Sequence, residues 1–218
     1  MRKLVSGYKK FRTEVYPGHE EDFRRLATGQ QPLALFITCS DSRIVPDMLM
    51  QAGPGELFIC RNAGNIVPAH GDQNGGVSAT IEYAVRVLKV KHIILCGHSD
   101  CGVMHGLLHP DRVAALPNVS NWLTYGARAR AVVDAICEGQ SDAEKVMELA
   151  RQNVLAQVDN LKTHPSVAAA IASGGLQLHA WVYQILEGEI LAWVQDRNAF
   201  VPLDTVPVQD SEPSLVSA

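Results

Sequence analysis

The chain has 218 residues, of which 47% are hydrophobic and 19% are charged, with a formal net charge of -4 and a sequence pI near 6.0. This composition favours one globular domain with a sizeable core and excludes a disordered chain. No basic stripe is available for nucleic acid or an acidic membrane, and no apolar run approaches the roughly 20 residues that span a bilayer. The start of the chain lacks the apolar core of a secretory signal, and five cysteines without small-scaffold spacing indicate reduced thiols, so we expect a cytoplasmic protein.

Residues 1–28 are predicted to form an N-terminal helical arm. Its apolar residues recur at helical spacing and include Leu4, Tyr8, Phe11 and Val15. Tyr16-Pro17-Gly18 is expected to break the arm into two helices. Because a first helix with a single apolar stripe has little of its own domain to cover it, we expect this arm to pack on a partner subunit.

Between residues 33 and 108, short apolar runs rich in β-branched residues alternate with helical patterns. We predict strands over 33–38, 57–60 and 91–96, and helices over 46–50, 74–88 and 101–108. This order of strand and helix implies a parallel sheet with right-handed crossovers. The segment 110–117 is expected to be a loop.

The C-terminal part, 121–218, is predicted to contain helices, a hairpin and a tail. The helices cover about 121–137, 141–163 and 165–172, the second capped by Ser141 with Glu144, and the antiparallel hairpin pairs 176–183 with 190–194. From Pro202 the tail is expected to lie over the surface. The predicted fold is therefore a single α/β domain over 1–218, with a mainly parallel central sheet, flanking helices and a C-terminal antiparallel hairpin, and its candidate site lies in 33–108.

Two of the predicted strands end in residues that suit a metal ion. Cys39, Asp41 and Arg43 follow the first strand, and His98 and Cys101 follow the third. The carboxyl ends of parallel strands are where open α/β sheets gather their chemistry. Two thiolates and one imidazole suit zinc, and three protein ligands leave a fourth position open, as in catalytic zinc sites. The alternative is a core thiol, a satisfied histidine and a surface ion pair.

The remaining cysteines and histidines show no such pattern. Cys60, Cys96 and Cys137 are interpreted as inert core thiols. The histidines without a partner pattern are expected at the surface or in packing, and they are His70, His92, His109, His164 and His179. His105 lies one helical turn beyond Cys101 and is a candidate proton relay.

Four segments in order resemble the motif set of the β-class carbonic anhydrases. They are Cys39-Ser-Asp41-Ser-Arg43, Arg61-Asn62-Ala63-Gly64-Asn65, Ile81-Glu-Tyr83-Ala and Cys96-Gly-His98-Ser-Asp-Cys101-Gly102. The resemblance covers nearly the whole chain and is closest to the plant-like bacterial branch, in particular the enzymes of cyanate operons. It implies that zinc is held by Cys39, His98 and Cys101, with water or hydroxide in the fourth position, and that zinc-bound hydroxide hydrates carbon dioxide reversibly to bicarbonate and a proton.

The resemblance also implies roles for residues around the metal. Asp41 and Arg43 match the family's dyad, in which the arginine keeps the carboxylate ionised and able only to accept hydrogen bonds. Gln30 and the backbone N–H of Gly102 are expected to donate to an oxygen of carbon dioxide or bicarbonate. The expected lining of the apolar substrate pocket is Phe58, Ala63 and Tyr83. In the family this pocket lies at a dimer interface, so a homodimer or a dimer of dimers is expected.

One position departs from a branch of the family, and two rival functions remain open. Phe36 stands where a bicarbonate-inhibited branch has tryptophan, which argues against that inhibitory site although Arg61 is present in both branches. In some members of the family the matching aspartate ligates zinc at low pH, and the resemblance therefore leaves open a resting state in which Asp41 displaces the water. The rivals are hydrolysis of carbonyl sulfide or carbon disulfide on the same scaffold, and a non-catalytic protein that binds zinc or bicarbonate for regulation. The second rival would be expected to have lost Asp41, Arg43 or Gln30.

Overall fold

A computed structural model describes residues 1–71 and 75–207 of the chain. Within these ranges six strands form one sheet: β1 Ala34–Cys39, β2 Leu57–Asn62, β3 His92–His98, β4 Gln177–Gln184, β5 Glu189–Val194 and β6 Ala199–Pro202. The strand order is β2-β1-β3-β4-β5-β6, in which the first four strands are parallel and β5 is antiparallel to both of its neighbours, β4 and β6. The predicted α/β fold with its mainly parallel sheet and C-terminal hairpin is therefore confirmed.

The two strands that carry the candidate ligands are longer than their apolar runs. β1 is buried at every residue and β3 at every residue after His92, as expected for strands covered on both faces. β1 includes Cys39 and β3 includes His98, because ladder pairing continues there to Asn62 and Tyr183, respectively. The predicted strand ends were thus one to two residues short, and the candidate ligands Cys39 and His98 are the last residues of β1 and β3.

The helices mostly follow the sequence patterns. They are α1 Arg2–Lys10, α2 Glu20–Leu26, α3 Pro46–Met50, α4 Gly76–Arg86, α5 Gly102–Leu108, α6 Pro117–Leu123, α7 Ala127–Ile136, α8 Asp142–Lys162 and α9 Pro165–Ala172. Ser141 and Glu144 form the predicted capping box of α8. In the part of the chain that the structure describes, none of the helices is both long enough and apolar enough to cross a membrane.

Some predicted boundaries were wrong. The helix predicted over 121–137 is split into α6 and α7 by a 3-10 turn at Thr124–Gly126, and it begins earlier because Pro117 occupies its first turn. The predicted loop contains a 3-10 turn, Pro110–Val113. β6, which pairs with β5, was not predicted. Asn74, the predicted start of α4, and the tail after residue 207 lie outside the described residues.

The core lies on both faces of the sheet. A larger hydrophobic cluster contains Leu35 and Ile37 of β1 and is covered by residues of α4, α5, α7, α8 and α9. A smaller cluster on the other face contains Phe36 and Ile94, against which Leu49 of α3 packs. Because alternate residues of β1 serve the two clusters, the carboxyl ends of β1 and β3 are held between buried layers.

The N-terminal arm stands apart from this core. α1 is followed by a π-helical turn, Phe11–Val15, and a 3-10 turn, Tyr16–His19, before α2, so the predicted break is confirmed. α1, which lies wholly within the described residues, contains no buried residue, and Leu4 and Tyr8 of its stripe are 70% and 60% exposed. An apolar face of this kind remains uncovered within one subunit.

Candidate metal centre

Three side chains from two neighbouring strands and one helix converge at the carboxyl edge of the sheet. Cys39 ends β1, His98 ends β3, and Cys101 is the N-cap residue of α5. Their ligand atoms all lie within 4.8 Å of one another, and all three residues are buried. The two Sγ atoms are 3.9 Å apart. They meet because β1 and β3 pair in parallel, which brings their carboxyl ends to the same edge.

The ring of His98 is oriented with a free lone pair toward the two thiols. Its Nδ1 lies 2.9 Å from the carbonyl oxygen of Ser99, and since a carbonyl can only accept, Nδ1 carries the proton. Nε2 is therefore the unprotonated nitrogen of the neutral ring. It is buried and has no hydrogen-bond partner among the described residues. A buried acceptor without a partner is costly unless a ligand occupies it, and an imidazole fixed in this way is typical of metal ligands.

The two thiols are also arranged for a cation. The thiol of Cys101, together with the Gly64 N–H at 3.3 Å, lowers the pKa of Cys39 well below its usual value. The Cys39 sulfur and burial raise the pKa of Cys101. Without a cation the pair thus keeps one proton between two sulfurs, whereas a divalent ion lets both ionise. Two thiolates and an imidazole nitrogen fit zinc.

The other cysteines differ from this pair. Cys60, Cys96 and Cys137 are buried, and burial raises the pKa of each thiol, to about 12 for Cys96. A buried thiol with a raised pKa remains protonated near neutral pH and is a poor nucleophile or ligand. These features agree with the interpretation of all three as inert core thiols.

Asp41 and Arg43 form a bidentate ion pair beside the ligand cluster. Arg43 Nε and Nη2 donate to the two carboxylate oxygens at 3.0 and 2.8 Å, and its backbone N–H donates at 2.9 Å. These bonds hold the pKa of Asp41 well below its usual range. Its Oδ2 lies 3.8 Å from Nε2 of His98. An ionised carboxylate, able only to accept hydrogen bonds, therefore faces the candidate metal position.

Arg61 fixes the loop that carries this pair. Its guanidinium donates to the carbonyl oxygens of Cys39 at 3.1 Å, Asp41 at 2.6 Å and Ile44 at 2.9 Å. In the sequence Arg61 stands in a motif that both branches of the family share, and nothing there indicates that it fixes the backbone after β1. Its donors are directed to main-chain carbonyls, so it positions the first ligand and the dyad together.

Two further residues at the site were missed. Gly64, whose N–H reaches Cys39, has a φ of 77°, and a Cβ placed on it would lie 2.5 Å from Cγ1 of Val103. Asp100, in the turn between His98 and Cys101, accepts from Nη1 of Arg43 at 3.0 Å. The signal for Asp100 was its position between two candidate ligands, and that for Gly64 was a glycine two residues after the end of a strand.

The predicted substrate-pocket residues lie at different places in the subunit, since Gly102 and Ala63 are near the cluster while Phe58 pairs with Leu35, four residues before Cys39. Gly102 is the first residue of α5, directly after Cys101, and Ala63 precedes Gly64 and accepts from Nε1 of Trp122 at 2.7 Å. Phe58 and Tyr83 pack with ring centroids 6.0 Å apart, and Tyr83 is 46% exposed.

Gln30 is exposed in the segment between the arm and β1, and its side chain makes no hydrogen bond among the described residues. Within one subunit, then, the ligands and the dyad are assembled, while Gln30 and Tyr83 remain accessible from outside.

The histidines predicted at the surface or in packing lie there, and two of them form a pair that was not predicted. His92 Nδ1 and His179 Nε2 are hydrogen-bonded at 3.1 Å, a pairing that depends on β3 lying beside β4 and so is invisible in the sequence. Burial lowers the pKa of His179 to about 4. His164 is buried and contacts Ser78 at 3.2 Å. His105 contacts the carboxylate of Asp100 at 2.9 Å.

Comparison with known proteins agrees with this geometry. A family model described as carbonic anhydrase matches residues 34–190. The carbonic anhydrase of Pseudomonas aeruginosa is 49% identical over 207 residues, which cover 95% of this chain and 94% of that protein. The structure of the β-carbonic anhydrase CcaA superposes with a TM-score of 0.91 at 40% identity, covering 93% of this chain and 98% of that one.

A second solved structure extends the comparison to assembly. One of two tetrameric β-carbonic anhydrases from Sordaria macrospora matches with a TM-score of 0.71 at 36% identity, covering 88% of this chain and 92% of that one. The likeness to these proteins spans the sheet, the helices around it and the edge where Cys39, His98 and Cys101 meet. The sequence and the fold of the chain together show that it belongs to the β-class carbonic anhydrase family.

Proposed function

We propose that the protein is a zinc-dependent carbonic anhydrase, which converts carbon dioxide reversibly to bicarbonate and a proton. The observation that carries this conclusion is the buried cluster of Cys39, His98 and Cys101 with the ionised carboxylate of Asp41 3.8 Å from His98 Nε2. Zinc held by the three ligands would supply a Lewis acid that makes water nucleophilic near neutral pH. The cluster fits this ion by its donor set and by the free lone pair of His98.

The chain's own residues orient the reaction. Asp41, kept ionised by Arg43, can only accept a hydrogen bond, so it selects a nucleophile that still carries a proton and turns the lone pair of that nucleophile toward the carbon of carbon dioxide. The backbone N–H of Gly102 and the amide of Gln30 are proposed to donate to the substrate oxygens that gain negative charge. Phe58, Ala63 and Tyr83 are proposed to line the apolar side of the pocket.

The active form is proposed to be a homodimer or a dimer of dimers. The similar Sordaria macrospora proteins are tetrameric. In this chain the uncovered stripe of α1 and the exposure of Gln30 and Tyr83 support an assembly in which the arm packs on a partner and these two side chains complete the partner's pocket. Residues 1–218 are proposed to act as one domain, since both hydrophobic clusters share the same sheet.

We further propose a sub-branch and a location. Gln30 in its Gly-Gln-x-Pro setting and Phe36 in place of tryptophan support the plant-like bacterial branch, closest to the cyanate-operon type. Phe36 packs edge-on to Trp181, with ring centroids 6.3 Å apart. All five cysteines, which lie within the described ranges, are free thiols, and this supports a reducing compartment such as the cytoplasm.

The non-catalytic rival is not favoured, because the ligands and the Asp41–Arg43 pair are all in place, and the sulfur-hydrolysing rival is not favoured, because the similar proteins are carbonic anhydrases. The test is a stopped-flow hydration assay with a pH indicator on zinc-loaded protein, run beside an assay of sulfide release from carbonyl sulfide. We expect rapid hydration in proportion to bound zinc, abolished by a chelator and restored by zinc. Sulfide release without hydration, or no activity in fully zinc-loaded oligomer, would contradict the proposed function.

A further inference from the structure

The guanidinium of Arg43 is hydrogen-bonded on both of its edges. One edge binds the carboxylate of Asp41 through Nε and Nη2. The other edge faces Asp100, whose Oδ2 accepts from Nη1 at 3.0 Å and whose backbone carbonyl accepts from Nη2 at 2.9 Å. A guanidinium held by two acceptor groups in its own plane loses its freedom to rotate. The orientation of Arg43 toward Asp41 is therefore shared with Asp100.

Asp100 is itself fixed from two sides. Its second carboxylate oxygen lies 2.9 Å from Nε2 of His105, which must be the donor because a carboxylate only accepts. Its backbone lies in the turn between His98 and Cys101. The preceding residue, Ser99, donates its N–H to the carbonyl of Tyr183 and accepts the N–H of Ile185 on its hydroxyl, each at 2.9 Å. The turn between two candidate ligands, His98 and Cys101, therefore also holds a fixed hydrogen-bond acceptor for Arg43.

We propose that Asp100 is a positioning residue for the reaction, which holds Arg43 in the plane that orients Asp41, and that His105 holds Asp100 in turn. The inference rests on the proposed function for its kinetic consequence. Arg43 is 43% exposed, so without Asp100 the outer edge of its guanidinium would face water and its long side chain could leave the carboxylate of Asp41. Neither Asp100 nor His105 needs to touch the substrate to act in this way.

The variants are Asp100→Asn and His105→Gln, each made alone and in an Arg43→Ala background. Asparagine suits position 100 because its φ is 51°, a left-handed conformation that Asp and Asn tolerate better than alanine. The matched control is Asp142→Asn, which removes the charge from another exposed aspartate that pairs with a histidine, His109, at 2.7 Å. Zinc content and oligomeric state are measured for every variant.

Two readouts separate positioning from general destabilisation. In the parent background Asp100→Asn should lower kcat/KM for hydration roughly 3- to 10-fold and His105→Gln by less, since exposed charge-assisted bonds are individually modest. In the Arg43→Ala background neither change should lower it further, because residues that act through one another are not additive. By NMR, the Arg43 Nε–H of zinc-loaded protein should exchange with solvent faster in Asp100→Asn than in the parent or in Asp142→Asn.

An equal loss from Asp100→Asn with and without Arg43 would overturn the proposal, as would an unchanged exchange rate of the Arg43 Nε–H. If the parent shows no hydration, the proposed function fails, and the exchange rate alone then decides whether Asp100 positions Arg43.

Discussion

Replacing Gly64 by alanine tests how tightly the metal centre is tied to its surroundings. Gly64 has a φ of 77°, and a new Cβ would lie 2.5 Å from Cγ1 and 3.0 Å from Cβ of Val103. A left-handed alanine costs about 1 kcal/mol. The overlap reaches the Cβ of a β-branched side chain, which cannot swing aside, so overpacking adds about 1–3 kcal/mol. We expect Gly64→Ala to lower the free energy of unfolding by about 2–4 kcal/mol in total.

The chain offers a matched control for the backbone part of this cost. Gly139 also has a φ of 77°, but no described atom lies within 4 Å of a Cβ built there. In urea unfolding, Gly139→Ala should cost only the conformational part, about 1 kcal/mol. The double variant Gly64→Ala/Val103→Ala should recover part of the steric cost. If Gly64→Ala costs no more than Gly139→Ala, the reasoning from close packing is refuted.

Three further predictions follow from the site and the arm. Cys101→Ala should lose bound zinc and hydration activity together, as measured by metal analysis and stopped flow, and the control Cys60→Ala should keep both. Full zinc retention in Cys101→Ala would show that Cys101 is not a ligand. Deleting residues 1–16 should shift sedimentation toward smaller species and lower activity, and a fully active monomer would contradict the assembly. Arg43→Ala should depress kcat/KM at every pH from about 6 to 9 and most at the acid end, where hydroxide is scarce, because the carboxylate of Asp41 is no longer held by Arg43 and can take the open metal position. An unaltered profile would count against the dyad.

The sheet and the ligand cluster could be predicted because their signals are local. β1 and β3 are continuous apolar runs, and Cys39 and His98 stand where those runs end. β6 was missed because it has four residues, ends at Pro202 and exists only through its pairing with β5.

The supporting contacts could not be predicted, since they depend on which segments meet in space. Two hydrogen bonds join residues that are distant along the chain: one from the Gly64 N–H to Cys39, and one from Arg43 to Asp100. The pairing of His92 with His179 requires knowing that β4 lies beside β3, and no hydrophobic period contains that information.

The uniform burial of β1 has a consequence for how the chain folds. A strand with one solvent face is fixed in register by alternation, because a one-residue slip would expose its apolar side chains. β1 is buried on both faces, so its hydrophobicity alone distinguishes poorly between registers. The polar end of the strand makes the distinction: the hydroxyl of Thr38 donates to the carbonyl of Cys96 at 2.8 Å, and Cys39 reaches the other ligands in the native alignment. Zinc binding would then select the native register, because only a sheet whose strands pair in that register gains the free energy of zinc binding.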